Sequence, residues 1–135
     1  MSRPPIRPDR VRTVRTAFAA IPNRFLHDGF FASLGHVERS LYLFLVIAGD
    51  RRGVSYYGHE RICSTLEIDL DTYLAARNAL VELDLIATDG VRFQVLSLPA
   101  RPHTRSRAAL STRDDFERAD PATVRNLLRE ALDER

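Results

Sequence analysis

Two periodicities divide the centre of this chain. From Tyr73, apolar residues return at Ala76, Leu80 and Leu83, intervals of three and four that draw one buried stripe along a helix over Leu70–Leu83. A shorter helix over Gly58–Leu66 precedes it, with Ile62 and Leu66 one turn apart on one face. The two are separated at Glu67-Ile68-Asp69, where Ile68 can drop between them. Asp69 and Asp71 are both placed to accept from the free N–H groups that open the second helix, and their charge suits that end. Past Asp84 the period falls to two. Leu85-Ile86 starts one strand, and Val91, Phe93 and Val95 alternate with Arg92 and Gln94 in another. Asp89-Gly90 supplies the hairpin turn between them. Ahead of both helices, Gly53–Tyr57 reads as a short strand. Ile62, Ile68, Tyr73, Leu80 and Ile86 are expected to be buried together.

Upstream, Gly35 can open a helix over His36–Ala48, with Glu38 three residues on to bond back to it. The second half of that helix, Leu41 to Ile47, is apolar nearly all round except Tyr42, which predicts cover on two sides. The candidate covers are Phe25–Phe31 and a second subunit. Pro22-Asn23 starts a helical turn that closes near Gly29. Its large apolar residues Phe25, Leu26, Phe30 and Phe31 predict either a lid on the core or a dimer contact. Gly49–Gly53 is a turn with adjacent Arg51 and Arg52.

The flanks differ in kind. Residues 1–16 interleave Pro4, Pro5 and Pro8 with Arg3, Arg7, Arg10, Arg12 and Arg15, too little apolar area to order a segment, so a basic arm is expected there. Residues 99–113 form a linker with Arg101, Arg105 and Arg107 and no periodicity. Ser111 or Thr112 can cap a turn with Asp115, and Asp120-Pro121 is a helix start. Val124, Leu127, Leu128, Ala131 and Leu132 then make an amphipathic stripe, so 114–135 reads as a C-terminal helix that packs back or pairs with a partner. The segment between the flanks, 17–98, is the single domain.

The run Leu66-x-Ile68-Asp69-x-x-Thr72-x-x-x-Ala76-x-x-x-Leu80-x-x-x-Asp84-Leu85-Ile86 resembles bacterial winged-helix regulators and replication initiators. The resemblance implies a winged helix-turn-helix, mostly α with a small antiparallel β wing, in which Leu70–Leu83 is the recognition helix. Two positions depart from that family. Glu67 stands at the turn, and Asp84 before Leu-Ile, where the family has glycine. The wider layout is similar to small proteins of plasmids and insertion elements.

Composition narrows the picture. The lone cysteine, Cys63, excludes an internal disulfide framework and suits a reducing cytoplasm. The longest apolar run, LYLFLVIA, falls far short of the ~20 residues a membrane helix needs, and no secretory signal is expected. All 20 basic residues are arginine. Residues 1–24 carry six Arg and one Asp; residues 25–97 carry six Arg and ten acids; residues 98–135 carry eight Arg and seven acids. An acidic domain therefore sits between basic segments.

No enzyme constellation is legible. His27, His36, His59 and His103 lack metal-ligand spacing with Cys63 or one another, and there is no Gly-rich phosphate loop or nucleophile elbow. No cofactor or small-molecule ligand is expected. The candidate partner is DNA. Asn78 can pair with adenine, and Leu70 and Leu74 can touch thymine methyls, with Thr72 and Arg77 beside them. Asp71 on the same helix repels phosphate, so backbone contacts fall to Arg51, Arg52, Arg92, Arg10, Arg12, Arg15, Arg101, Arg105 and Arg107. Transcription control, plasmid replication and transposition all fit this layout. The alternative is a winged-helix module for protein contact or dimerisation, through His36–Ala48 or Val124–Leu132.

Overall fold

The computed structural model describes residues 3–14 and 17–104. The helix expected over 114–135, together with Arg15, Arg105 and Arg107, lies outside the described residues. Among those described, helices α1 (Arg24–His27), α2 (His36–Ala48), α3 (His59–Leu66) and α4 (Leu70–Glu82) accompany strands β1 (Val54–Ser55), β2 (Ile86–Thr88) and β3 (Phe93–Val95). The three strands form one antiparallel sheet in the order β1-β3-β2. The fold is mostly α with a small antiparallel β wing.

The helix limits follow the sequence. Gly35 precedes α2 and its N–H donates to Glu38 Oε1 at 2.9 Å. Asp69 caps α4 by accepting from the Thr72 N–H at 2.7 Å. Both α3 and α4 end in left-handed backbone, at Glu67 (φ 57°) and Asp84 (φ 62°). In each case the next residue donates five residues back, Ile68 to the Cys63 carbonyl and Leu85 to the Leu80 carbonyl. That closure satisfies orphan carbonyls and turns an apolar residue inward. Leu85 is buried, and Ile68 is half-buried against the core.

One core holds the domain. α2 crosses α4 and α3 and also backs β3 and β1. Leu41 and Leu45 of α2 meet Ile62, Tyr73, Ala76, Leu80 and Ile86, and Phe93 closes the sheet side. Phe25 and Phe30 join this core, and Phe25 stacks on Tyr42 with ring centroids 4.7 Å apart. Leu26 and Phe31 point outward instead. Phe25 and Phe30 thus supply the expected lid on the core, but not the second cover expected for α2. The phenylalanines reinforce the inward face beside Tyr42, and the outward face keeps Leu43 at 51% and Ile47 at 66% exposure.

The hairpin turn is also corrected, by one residue. Thr88 pairs with Phe93, so the register puts Gly90-Val91 at the tip rather than Asp89-Gly90. Only Gly90 has positive φ there (94°). A turn with positive φ at its first central residue alone puts glycine at that position and leaves β-branched Val91 in an ordinary conformation. Val91 accordingly stands exposed at the tip and does not extend the apolar face of β3. At the sheet's other side Gly53 (φ 81°) approaches so closely that a Cβ would lie 2.7 Å from the Val95 carbonyl oxygen. Its own carbonyl accepts from the Val95 N–H.

Candidate nucleic-acid interface

The α3-turn-α4 unit and the wing place the candidate residues in three groups. On α4, Leu70 is half exposed at the first turn, while Leu74 is partly packed on the core. Thr72 is half-buried, with its N–H spent on the Asp69 cap. Arg77 and Asn78 are joined: the guanidinium donates twice to Asn78 Oδ1, at 3.3 and 3.2 Å, and lies 6.0 Å from the Tyr73 ring centroid. Adenine recognition needs both the donor and the acceptor of an asparagine amide, so Asn78 must release Arg77 to read a base. Asp71 and Glu82 are half-buried on the same helix.

On the wing, Arg92 is tied to Asp89. Its guanidinium donates to Asp89 Oδ2 at 2.9 Å, and Asp89 Oδ1 accepts from the N–H groups of Val91 and Arg92 at 3.0 and 2.7 Å. These backbone bonds first, and the arginine second, hold the Asp89 carboxyl at about 2, below its ordinary 3.8. The same ion pair raises Arg92, helped by Tyr56. Arg92 is exposed but partly neutralised. An open hollow of about 250 Å³ on the outer sheet face runs beside it, lined by Val54, Ala87, Thr88 and Gln94 among others.

The third group is basic and exposed. Arg51 and Arg52 are exposed in the turn after α2. Asp50 organises that turn by accepting from the N–H groups of Arg52 and Val54 at 2.8 and 3.0 Å, bonds that lower its own pKa. Arg10 and Arg12 are exposed in the arm, which carries one 3-10 turn at Pro8–Arg10. Arg101 is exposed just past the sheet.

Sequence reasoning missed a residue that joins distant parts of the chain. Arg24 donates to the carbonyls of Leu98 (3.3 Å), Pro99 (2.6 Å) and Ala100 (3.0 Å), and to Asp28 Oδ2 at 3.1 Å. Arg24 therefore holds the start of the basic linker against α1. The only signal available was an arginine amid aromatic residues, and its partners lie 74 to 76 positions away. A second missed feature is aromatic. Tyr56 and Tyr57 are exposed, and Arg61 stands 5.7 Å over the Tyr57 ring centroid.

Cys63 is a free, half-buried thiol. Burial first, then the Asp69 charge, push it above its ordinary range, which reduces the thiolate fraction. Among the described residues no group of three or more His, Cys, Asp or Glu is arranged to hold a metal ion. No helix among them is long and apolar enough to cross a membrane. No family model, curated protein or solved structure matches this chain.

Proposed function

We propose that the chain is a DNA-binding protein of the winged helix-turn-helix type, a regulator or a replication or transposition accessory factor of a bacterial or mobile-element system working in the cytoplasm. Its phosphate contacts come from the arginine-rich flanks, Arg51, Arg52 and the wing. The observation that supports this most is the Arg24 clamp. It holds Leu98, Pro99 and Ala100, and so the start of the basic run at Arg101, against α1, and exposed arginines flanking a domain are what a phosphate backbone selects. The test is a titration of labelled duplex at several salt concentrations. Affinity that falls steeply with salt supports the reading; no binding at low salt removes it.

A second reading, a module for protein contact, is favoured by α4 itself. That helix carries Asp71 and Glu82 against one arginine, and the arginine is engaged by Asn78. Wild-type protein that ignores duplex at low salt is the outcome this reading expects.

A further inference from the structure

The outer face of the wing sheet is a small platform of mixed chemistry. Ser55, Phe93 and Ile86 are buried in the core, so their neighbours Val54, Gln94 and Ala87 point out. The register sets these three in one row across the sheet. One step along, Tyr56 stands opposite Arg92, 67% exposed, and its phenol acts on the guanidinium charge. The open hollow of about 250 Å³ lies over the row and reaches Arg92 and Asp89.

Each polar group there keeps a use. Arg92 meets Asp89 through N–H bonds in the guanidinium plane, which leaves the flat faces of that group for stacking. Asp89 already accepts from this guanidinium and from the N–H groups of Val91 and Arg92. Gln94 is the only glutamine of the chain, and its exposed amide bonds no other described residue. A primary amide offers a donor and an acceptor, the pattern of a base edge. Arg51 and Arg52 are exposed in the turn that leads into β1. An exposed ring, a flat cation and arginines along the same strand are the groups that hold an unpaired base and its phosphates. The hollow is smaller than the roughly 300–1,000 Å³ of pockets for larger ligands, which suits one planar ring. Bases inside a duplex are covered on both faces, so such a platform selects an opened strand. We propose that the outer sheet face binds an unpaired base of a DNA single strand, stacked on Tyr56 and Arg92 with its edge on Gln94 and the phosphates toward Arg51 and Arg52. This rests on the DNA-binding reading and adds to it a contact for opened DNA.

Two probes test it, a labelled mixed-sequence DNA single strand and the same sequence as duplex. Tyr56→Ala should weaken single-strand binding by about tenfold or more and leave duplex binding unchanged. Tyr56→Phe keeps the ring and should retain single-strand binding. In the wild type, the side-chain amide signal of Gln94, identified by its loss in Gln94→Ala, should shift when the single strand is added. Single-strand binding that survives Tyr56→Ala, or a Gln94 amide unmoved in the bound protein, would overturn the proposal and leave the duplex reading standing. So would a wild type that binds duplex and ignores the single strand. A wild type that binds neither probe removes both readings.

Discussion

Glu67 and Asp84 end α3 and α4 in the same left-handed conformation, with φ of 57° and 62°, and among the described residues no other non-glycine residue has positive φ. They are also the two positions where the helix-turn-helix pattern leads one to expect glycine. The backbone keeps the geometry that glycine would serve, and the side chains are held in it. A left-handed L-residue costs roughly 1–2 kcal/mol, offset in part by the ~0.5–1 kcal/mol of extra chain entropy that glycine loses on folding. Glu67→Gly should therefore stabilise the domain by about 0.5–1 kcal/mol, read as a higher urea midpoint. Asp84→Gly should gain less, since aspartate tolerates this region better and Asp84 Oδ2 also lies 3.8 Å from His103 Nε2. A lower midpoint for Glu67→Gly would contradict the strain argument.

The N-cap of α4 gives a second measurement. Asp69 accepts from the Thr72 N–H, and its carboxyl is lowered by the Thr72 hydroxyl and N–H bonds. Asp69→Ala should cost about 0.5–2 kcal/mol, and Asp69→Asn much less, because the amide oxygen can still accept. Equal losses for the two variants would show that the cap bond contributes little.

The wing turn predicts a pH dependence. The Asp89 carboxyl is depressed from 3.8 to about 2 in the folded state. A depressed carboxylate contributes stability that is present above its unfolded pKa and is lost as pH falls through the folded one. The loss from this group should thus run from about pH 4 down to about pH 2. Carbon-detected titration of the Asp89 carboxyl should give a midpoint near 2. Asp89→Ala should flatten part of the acid limb of stability, with Asp50 and Asp69, also lowered, supplying the rest. An Asp89 midpoint near 4 would remove the turn's hydrogen bonds from the account.

How far the sequence carried depended on range. α2 was legible to the residue, and α3 and α4 to within one, because periodicity and caps are local signals: Gly35 with Glu38, and Asp69 with Thr72, act within three positions. The hairpin tip slipped by one residue because Asp89-Gly90 is a strong local turn signal, while the actual register is set by Phe93 entering the core opposite Thr88. The Arg24 clamp was invisible for the same reason, its partners being some 75 residues distant. On α4 the sequence named Arg77 and Asn78 as separate contacts. Their pairing with each other depends on rotamers, which composition and spacing do not specify.

Arg24→Ala should release the segment that the clamp holds. Three carbonyls lose a charged donor, and hydrogen bonds of this kind contribute roughly 1.5–3 kcal/mol when well shielded. Arg24 is a third exposed, so the expected loss is smaller, about 1–2 kcal/mol in total. The more specific sign is local. Amides of residues 98–104 should exchange faster, while those of α3 and α4 change only by the global loss of stability. If exchange at 98–104 is unaltered, that segment is held by Leu98 and Pro102 packing rather than by Arg24.

Duplex binding separates the three groups of candidate residues. Each phosphate contact contributes a salt slope of ~0.9 in log-log form. Removing the arginines of the arm, by Arg10→Ala with Arg12→Ala, should weaken binding to every duplex alike and lower the slope by about 2. The pair Arg51→Ala and Arg52→Ala should act in the same way, since both side chains are exposed in a turn built by Asp50 and their removal leaves its hydrogen bonds intact. Arg92→Ala should lower the slope by less than one, because Asp89 already neutralises part of that charge. Asn78→Ala differs in kind: it should cost ~1–3 kcal/mol on a specific site, leave the slope alone and have no effect on random duplex. The Arg77–Asn78 bond adds a cross-check. If Asn78 must let go of Arg77 to read adenine, then Arg77→Ala frees its amide oxygen and should tighten specific binding relative to random duplex. Binding that survives loss of all five arginines would put the interface on another surface, and wild type that fails to bind at low salt would leave α4 as a surface for protein contact.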